Sequence, residues 1–445
     1  MASSSSTAQK RKLDTAGDTN APNKAAKVHP FFTKKPAVDE QSTSSGSFRW
    51  LKAFGPDRSC LHATSMNPPS LTKVAAFDLD GTVIEGGFKQ PASEWKWWNA
   101  CVPGKLAEAA NAGYSVVIIS NQNGLLKGAK PMNAWKAKIE SIASTLPDVP
   151  FRIFGAVAKD RYRKPMTGMW DELEKIYAED GVQIDKTSSF FVGDAAGRNF
   201  PRNPSRRDFA STDRKWALNI EIPFMTPEEY FLSRAPDPEF TLKGLDVSTL
   251  PKLPLYTPSS TPIVPAKPTQ ELILLVGYPC LGKTTFFRRH FEPVGYIHIN
   301  QDTLKRRESC VKAVQEALAE GKKCVVDNTN RDASTRRFYV DLAKKNNVPI
   351  RCMVFTGSLE LAWHNNLYRA FGLPPSVSGH ESPREELPKS AFASFRDNYE
   401  EPELSEGFAE IKKVNWVFEG TEEERKMWAK WFPLFDDKEE KGNKK

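Results

Sequence analysis

Residues 73–82 read KVAAFDLDGT. Val74 to Phe77 form a short apolar run that ends abruptly at charged residues, which predicts a buried strand. Side chains at i and i+2 of an extended segment point the same way, so Asp78 and Asp80 converge just beyond the strand end. Open α/β sheets place their ligands there, and Gly81 lets the chain turn sharply afterwards. Two carboxylates this close repel each other unless a cation or a proton intervenes. A hard dication with oxygen ligands, Mg²⁺ first among them, fits. One carboxylate can then attack phosphorus while the other moves the proton. The bland alternative is a capping turn, because Asp-x-Asp-Gly is common by itself.

Working outward, GYSVVIISNQNG at 113–124 predicts a second buried strand ending at Ser120, whose hydroxyl and neighbouring N–H groups can hold phosphate oxygens. Lys164 lies in Arg163-Lys164-Pro165, ahead of the helical stretch GMWDELEKIYAED, where an ammonium neutralises phosphate charge and steadies a nucleophile. SFFVGDAAGR at 189–198 predicts another strand, and it delivers Asp194 as a third carboxylate for the metal. Strands alternating with helices, with polar residues at successive strand ends, predict a parallel doubly wound sheet.

A second block repeats the logic with different chemistry. ELILLV at 271–276 predicts a strand that runs into Gly277-Tyr-Pro-Cys-Leu-Gly282-Lys283-Thr284, with the helical stretch TTFFRRHF after it. This is G-x-x-x-x-G-K-T in its proper setting. Backbone N–H groups wrap a β-phosphate, Lys283 reaches the β and γ phosphates, and Thr284 ligates Mg²⁺, with Thr285 beside it. The segment GYIHIN ends near Asp302, a carboxylate able to take a proton from an attacking hydroxyl. CVVDNTN at 324–330 ends a further strand at Asp327, which either orients Mg²⁺ or buttresses the loop. Arg369 follows in WHNNLYR as a candidate clamp on transition-state charge or a surface ion-pair former.

The whole chain has 445 residues, 63 Lys and Arg against 55 Asp and Glu, and a formal charge of +8. That length predicts two or three domains. No run approaches the roughly 18–20 apolar residues a membrane-spanning helix needs, and the N-terminus has no apolar signal core. Six cysteines are scattered without a CxxC pair, which argues against a zinc site or a disulfide scaffold and for a reduced, intracellular setting. Residues 1–47 have the composition of a disordered tail. Lys10-Arg11-Lys12 with Lys24 and Lys27 read either as a nuclear import signal or as a solvated polar tail. Val28, Phe31 and Phe32 form an aromatic island that could be a short docking peptide, for a sliding clamp or a repair protein. Eight prolines between Pro236 and Pro268 predict a semi-rigid extended connector over 236–268. It separates a block at 70–235 from one at 270–435, and a charged tail follows at 436–445. The fold class expected is therefore α/β, with two doubly wound parallel-sheet domains and a monomeric chain.

DLDGT at 78–82, Ser120 after an apolar strand, Lys164 and the Gly-Asp pair at 193–194 together resemble the haloacid dehalogenase (HAD) phosphatase superfamily. The resemblance implies Asp78 as nucleophile, Asp80 as general acid and base, and Mg²⁺ held by Asp78, Asp194 and the backbone carbonyl of Asp80. The two blocks in this order resemble the polynucleotide kinase 3′-phosphatase family. The similarity rests on KVAAFDLDGT at 73–82, KPMTGMW at 164–170, VGDAAGR at 192–198, ALNI at 217–220 and PFMTPEEYF at 223–231. GYPCLGKTT at 277–285, DNTNRDA at 327–333 and HNN at 364–366 extend it through the second block. It implies removal of 3′-phosphates and ATP-dependent phosphorylation of 5′-hydroxyls at DNA breaks, Asp302 as kinase base, and Arg369 as a lid residue; the basic groups of the tail make the expected location nuclear. Asp208 and Asp213 fall in a matching segment and are implied to support the first site.

The sequence also departs from the family. Vertebrate members carry an N-terminal phosphopeptide-binding domain, whereas here about 70 residues precede the expected first strand. The phosphate loop holds Cys280 and Leu281 where relatives often have smaller side chains. Arg163, Arg198, Arg202, Arg206 and Arg207 in the first block, and Lys305, Arg306 and Arg307 in the second, are candidate contacts to nucleic-acid phosphates. Trp95, Trp97 and Trp98 either stack bases or belong to the core. The competing functions are an RNA-end healing enzyme, a non-catalytic repair scaffold, and a small-metabolite phosphatase fused to a nucleotide kinase.

Overall fold

Short apolar runs bounded by charged or turn-forming residues become the central strands of two sheets. The computed structural model describes residues 48–86, 94–200, 207–373 and 385–433. The first sheet has seven strands: β1 (Phe48–Phe54), β2 (Cys60–Ser65), β3 (Val74–Phe77), β4 (Ser115–Asn121), β5 (Phe151–Ala156), β6 (Phe190–Val192) and β7 (Phe224–Met225). Their spatial order is β1-β2-β5-β4-β3-β6-β7. The helices α1 (Val102–Asn111), α2 (Ala129–Ser144), α3 (Gly168–Glu179), α4 (Thr212–Ile220) and α5 (Pro227–Leu232) complete this half. Alternate strand residues feed two cores. One holds Ala75, Phe77, Ile118 and Ile153 under α1 and α2, and the other holds Val117, Ile119, Phe154 and Phe191 under α3 and α4. Because β3 lies between β4 and β6, the strand order reverses at β3, and a crevice opens at its carboxyl end.

Two strands, β1 and β2, precede the block expected from residue 70, and β2 runs antiparallel to both β1 and β5, so the doubly wound parallel strands carry an antiparallel edge. The strand β2 reads CLHATS, so a fully buried strand carries small and polar residues and shows no apolar run. His62 accounts for much of this. Its ring stacks on Phe154 at 4.8 Å, and Arg152 Nη1 lies 2.7 Å from its Nε2. Burial, and then the Arg152 charge, lower its pKa to about 3, so the ring is neutral and tolerated inside.

The second sheet contains β8 (Tyr256–Thr257), β9 (Leu272–Val276), β10 (Ile297–Ile299), β11 (Cys324–Asp327), β12 (Ile350–Phe355) and β13 (Glu410–Val414), in the order β10-β11-β9-β12-β13-β8. Its helices include α6 (Lys283–His290), α7 (Gln301–Leu304), α8 (Arg307–Ala319), α9 (Ala333–Lys345) and α10 (Leu359–Leu367). All pairings are parallel except β13 with β8. The order reverses at β9, again placing a loop at the switch point.

The proline-rich stretch is not a free spacer. Leu245, Val247, Leu250, Leu255 and Tyr256 pack on the second core. Thr257 pairs with Lys413 at the sheet edge, where prolines nearby interrupt no central ladder. The fully buried Lys412 ammonium donates to the carbonyls of Pro258 and Thr261 at 3.0 and 2.8 Å, which fixes the strap. The basic groups at residues 10–27, the aromatic island at 28–32, Arg202, Arg206 and the charged tail at 436–445 lie outside the described residues.

Candidate active sites

At the end of β3 the backbone N–H of Asp78 donates to Val192 O at 2.8 Å, tying the loop to β6. Gly81 takes φ +88°, and a Cβ there would lie 2.7 Å from Asp194 Cγ, so the turn brings backbone against that carboxylate. The carboxylates of Asp78, Asp194 and Asp213 supply oxygens within 4.8 Å of one another. The Lys164 ammonium, 2% exposed, sits among them: Nζ lies 2.5 Å from Asp78 Oδ1 and 2.7 Å from Asp213 Oδ1, and donates to Ile119 O at 2.9 Å. Three carboxylates against one ammonium leave two uncompensated negative charges in a site screened from water. One divalent cation carries that charge, and the donors are all oxygen, so the cluster fits Mg²⁺.

The electrostatics agree. Burial pushes the Asp78 carboxyl up to about 7; Lys164 opposes this, while Asp213 and Asp80 add to it. Asp194 is raised by burial and by the charges of Asp78 and Asp213. Burial works against the Lys164 ammonium, but Asp213 and Asp78 together outweigh it and raise its pKa. Asp213 is fully engaged, with Oδ1 facing Lys164 and Oδ2 accepting from Ala195 N at 3.0 Å. That leaves it orienting the lysine.

Asp80 stands apart from this cluster and is partly exposed. Gln122 Nε2 donates to Asp80 Oδ2 at 2.6 Å and to Ser120 Oγ at 2.9 Å, so one amide joins two of the sequence-derived site residues. Asn121 clamps Lys164 through its main chain, accepting from its N–H at 2.8 Å and donating to its carbonyl at 3.1 Å. Sequence reasoning passed over Asn121 and Gln122, although both directly follow Ser120 at the strand end. A cleft of about 540 Å³ opens beside the cluster, bordered by Gly81, Glu85, Trp98, Asp194, Arg198 and Glu228.

The Arg198 guanidinium is largely buried, pairs with Asp208 at 2.9 Å and Glu228 at 2.7 Å, and donates to the Asp194 carbonyl at 3.3 Å. It borders the cleft and braces its wall. Arg163 is partly buried and Arg207 exposed. Trp98 packs on Phe231 and Trp95 bonds Ser141 Oγ, which places the tryptophan cluster against the first core.

In the second sheet the loop after β9 starts at Gly277, where φ is +153° and a Cβ would meet Phe355 Cβ at 2.8 Å. It ends at Gly282, φ +81°, which caps α6. Lys283 Nζ donates to the carbonyls of Gly277 and Tyr278 at 3.0 and 2.6 Å. Burial lowers its pKa, against the opposing charges of Asp327, Cys280 and Asp302. Thr284 Oγ1 donates to Asp327 Oδ2 at 2.6 Å, and His298 Nε2 lies 3.0 Å from the same oxygen. Asp327 therefore buttresses the Thr284 hydroxyl. Asp302 is exposed on α7, and Lys305 Nζ donates to its carbonyl at 2.7 Å. Arg369 reaches over the loop, its Nη1 2.9 Å from Cys280 Sγ. Thr285 is exposed on the first turn of α6. The loop, Lys283 and Arg369 meet beyond the end of β9, and Asp302, past the end of β10, is near enough for its charge to act on Lys283.

Comparison with known proteins gives the family. The profile of the family described as "Polynucleotide kinase 3 phosphatase" matches residues 73–231, and that of an "AAA domain" matches residues 272–402. The chain is 36% identical to the bifunctional polynucleotide phosphatase/kinase of Schizosaccharomyces pombe, over 81% of this chain and 83% of that one. It is 37% identical to the polynucleotide 3′-phosphatase of Saccharomyces cerevisiae, over 36% of this chain and 87% of that one. A polynucleotide 3′-phosphatase of Arabidopsis thaliana is 34% identical over 37% of this chain and 25% of its own length.

Proposed function

The chain belongs to the bifunctional polynucleotide phosphatase/kinase family, and on that footing we propose that it makes broken DNA ends ready for ligation, removing 3′-phosphates with its first domain and phosphorylating 5′-hydroxyls from ATP with its second. The observation that carries this reading is the buried Lys164 bound to Asp78 at the end of one sheet, with a phosphate-cradling loop at the switch point of another.

In the first centre the Asp78 carboxylate attacks phosphorus, and the bond from phosphorus to the 3′-oxygen breaks. Asp80 supplies the proton that the leaving oxygen needs. Asp80 then takes a proton from water, which attacks the aspartyl phosphate and releases inorganic phosphate. Lys164 and Ser120 hold phosphoryl oxygens, and Gln122 keeps Asp80 beside Ser120. Asp78, Asp194 and the carbonyl of Asp80 would hold Mg²⁺, which when bound neutralises the transferring group.

In the second centre Asp302 accepts the proton of the 5′-hydroxyl, whose oxygen attacks the γ-phosphorus of ATP, with ADP leaving. Gly277, Gly282, Lys283, Thr284 and Thr285 bind the nucleotide with its Mg²⁺, and Arg369 steadies the transferring charge. Arg163 and Lys305 guide the strand by its phosphates. The protein works as a nuclear monomer; the segments that motivated import and clamp docking lie outside the described residues.

The test is a panel of DNA and RNA oligonucleotides bearing 3′-phosphate or 5′-hydroxyl ends. Asp78→Asn is expected to abolish 3′-phosphate release and spare the kinase, and Lys283→Ala to do the reverse. Both activities surviving in both variants would refute the assignments. Much faster turnover of RNA than of DNA ends would refute the DNA reading.

A further inference from the structure

Lys164 is followed directly by a contact between the two halves of the molecule. Asn219 on α4, 8% exposed, donates through Nδ2 to the carbonyl of Pro165 at 2.8 Å. The same amide pairs both ways with the backbone of Trp431: Nδ2 donates to its carbonyl at 2.8 Å, and Oδ1 accepts from its N–H at 2.7 Å. Trp431 belongs to the segment that follows the helix Glu422–Trp428 of the second half. Met166 is 2% exposed and shares a small apolar cluster with Leu367 and Phe432, while Lys430 Nζ donates to Thr167 Oγ1 at 3.3 Å. Met166 and Thr167 are therefore held by Phe432 and Lys430 directly, and Pro165 is held through Asn219, which in turn grips Trp431.

The far side of this segment rests on the second centre. Phe432 packs on the His364 ring at 4.9 Å, and a Cβ on Gly372 would lie 2.6 Å from Phe432 Cε1. Gly372 ends the π-helical turn Tyr368–Gly372 that carries Arg369. Trp428 Nε1 donates to Asn365 Oδ1 at 2.8 Å, and Asn365 donates to the carbonyl of Cys280 in the phosphate loop at 3.0 Å.

We propose that residues 429–433 act as a strut for the phosphatase centre, with Asn219 and Phe432 as the positioning residues that hold the Pro165–Thr167 loop and so aim the Lys164 ammonium at Asp78. The physical ground is geometric. Lys164 must meet Asp78 and Asp213 within hydrogen-bond distance, Asn121 fixes only the Lys164 backbone, and the next three residues draw side-chain support from Asn219 and, across the halves, from Phe432 and Lys430. Buried backbone carbonyls such as that of Pro165 need a donor, and here the donor belongs to an amide that also grips Trp431. Side chains that orient a reacting group are effective when a second set of contacts locks them.

This inference rests on Lys164 serving the phosphatase, and the experiment separates the two. Asn219→Ala, Phe432→Ala and Phe432→Leu are made in the full chain. Each is briefly acylated with acetic anhydride, and modification of Lys164 is read by mass spectrometry, with the fully buried Lys412 as an internal control. Lys164 is expected to label several-fold faster in both alanine variants and near the unaltered rate in Phe432→Leu, with Lys412 protected throughout. For 3′-phosphate oligonucleotides, kcat is expected to fall about tenfold or more while KM stays put, since a displaced group loses orientation rather than substrate affinity. Kinase turnover of Asn219→Ala is expected to remain. Unchanged Lys164 labelling in both alanine variants overturns the strut, and so does parallel exposure of Lys412, which would mean general loosening. A chain with no phosphatase turnover at all would refute the functional assignment, and the labelling pattern would still decide the strut.

Discussion

Replacing Lys164 by Met tests the electrostatic core of the first centre. Met preserves most of the volume but deletes an ammonium bonded to Asp78, Asp213 and the Ile119 carbonyl. With Lys164 2% exposed and its partners nearly as buried, water cannot replace those bonds. Breaking a buried ion pair by removing one partner costs about 3–5 kcal/mol. At roughly 2–4 °C per kcal/mol for a domain of this size, the first unfolding transition should drop by roughly 6–20 °C in metal-free buffer. The control is Lys175→Met, whose ammonium pairs with Glu172 but is 61% exposed and should cost little. The pH dependence has a definite sign. Asp78 is raised to about 7 from 3.8, so the folded state binds more protons than the unfolded one in that window. Stability falls as pH rises through it and recovers on acidification. Removing Lys164, which opposes that rise, should steepen the dependence. Mg²⁺ should flatten it, more in the variant than in the unaltered chain, because the variant has one more negative charge to compensate. Calorimetry with EDTA or Mg²⁺ at pH 5 and pH 7.5 measures all of this. A Lys164→Met loss no larger than that of Lys175→Met, or one indifferent to pH and Mg²⁺, would show that the cluster does not hold together as described.

Two further outcomes are expected. Arg198→Gln should lower the stability of the first domain yet leave the salt dependence of DNA binding unchanged. Lys305→Ala should lower the slope of log affinity against log salt by about one; equal slopes for the two variants would reverse that contrast. Lys215, whose pKa burial lowers to about 8, carries a cost below that pH that disappears as pH rises toward its unfolded value. Lys215→Met should therefore stabilise the folded chain at pH 7, by at most about 3 kcal/mol, read as a higher melting midpoint, and the advantage should vanish by pH 10.5. A constant advantage across that range would place its origin in packing.

The strands that position both centres were legible because they are buried on both faces and read as apolar runs, as in Val116–Ile119 and Leu272–Val276. The strand β2 was not, for the opposite reason. A buried histidine and its arginine partner satisfy each other across β2 and β5, so polar letters occupy core positions, and no local window contains both halves of the pair. The proline strap shows the same limit from the other side. Proline density correctly denies it a central strand, but what fastens it is Lys412, more than 140 residues away in sequence.

The same distinction sorts the site residues. Asp78, Asp80 and Gly81 lie within one short stretch of sequence, and the phosphate loop is one continuous stretch, so spacing alone points to their chemistry. Asn121 and Gln122 acquire meaning only when Lys164 and Asp80 come to meet them. Arg198 reads from sequence only as an arginine beside a phosphatase motif, and its pairing with Asp208 and Glu228 appears only when the chain folds. Asn219 is the extreme case, since its partner Trp431 lies 212 positions away in the other half of the molecule. Groups that touch the transferring phosphate sit on strand ends and phosphate loops, which are local objects. Groups that hold them in register are drawn from whichever elements pack behind. Lys164 is held in register from its own domain by Asn121 and Asp213, and the loop after it is packed on Phe432 and Lys430 from the other half of the molecule.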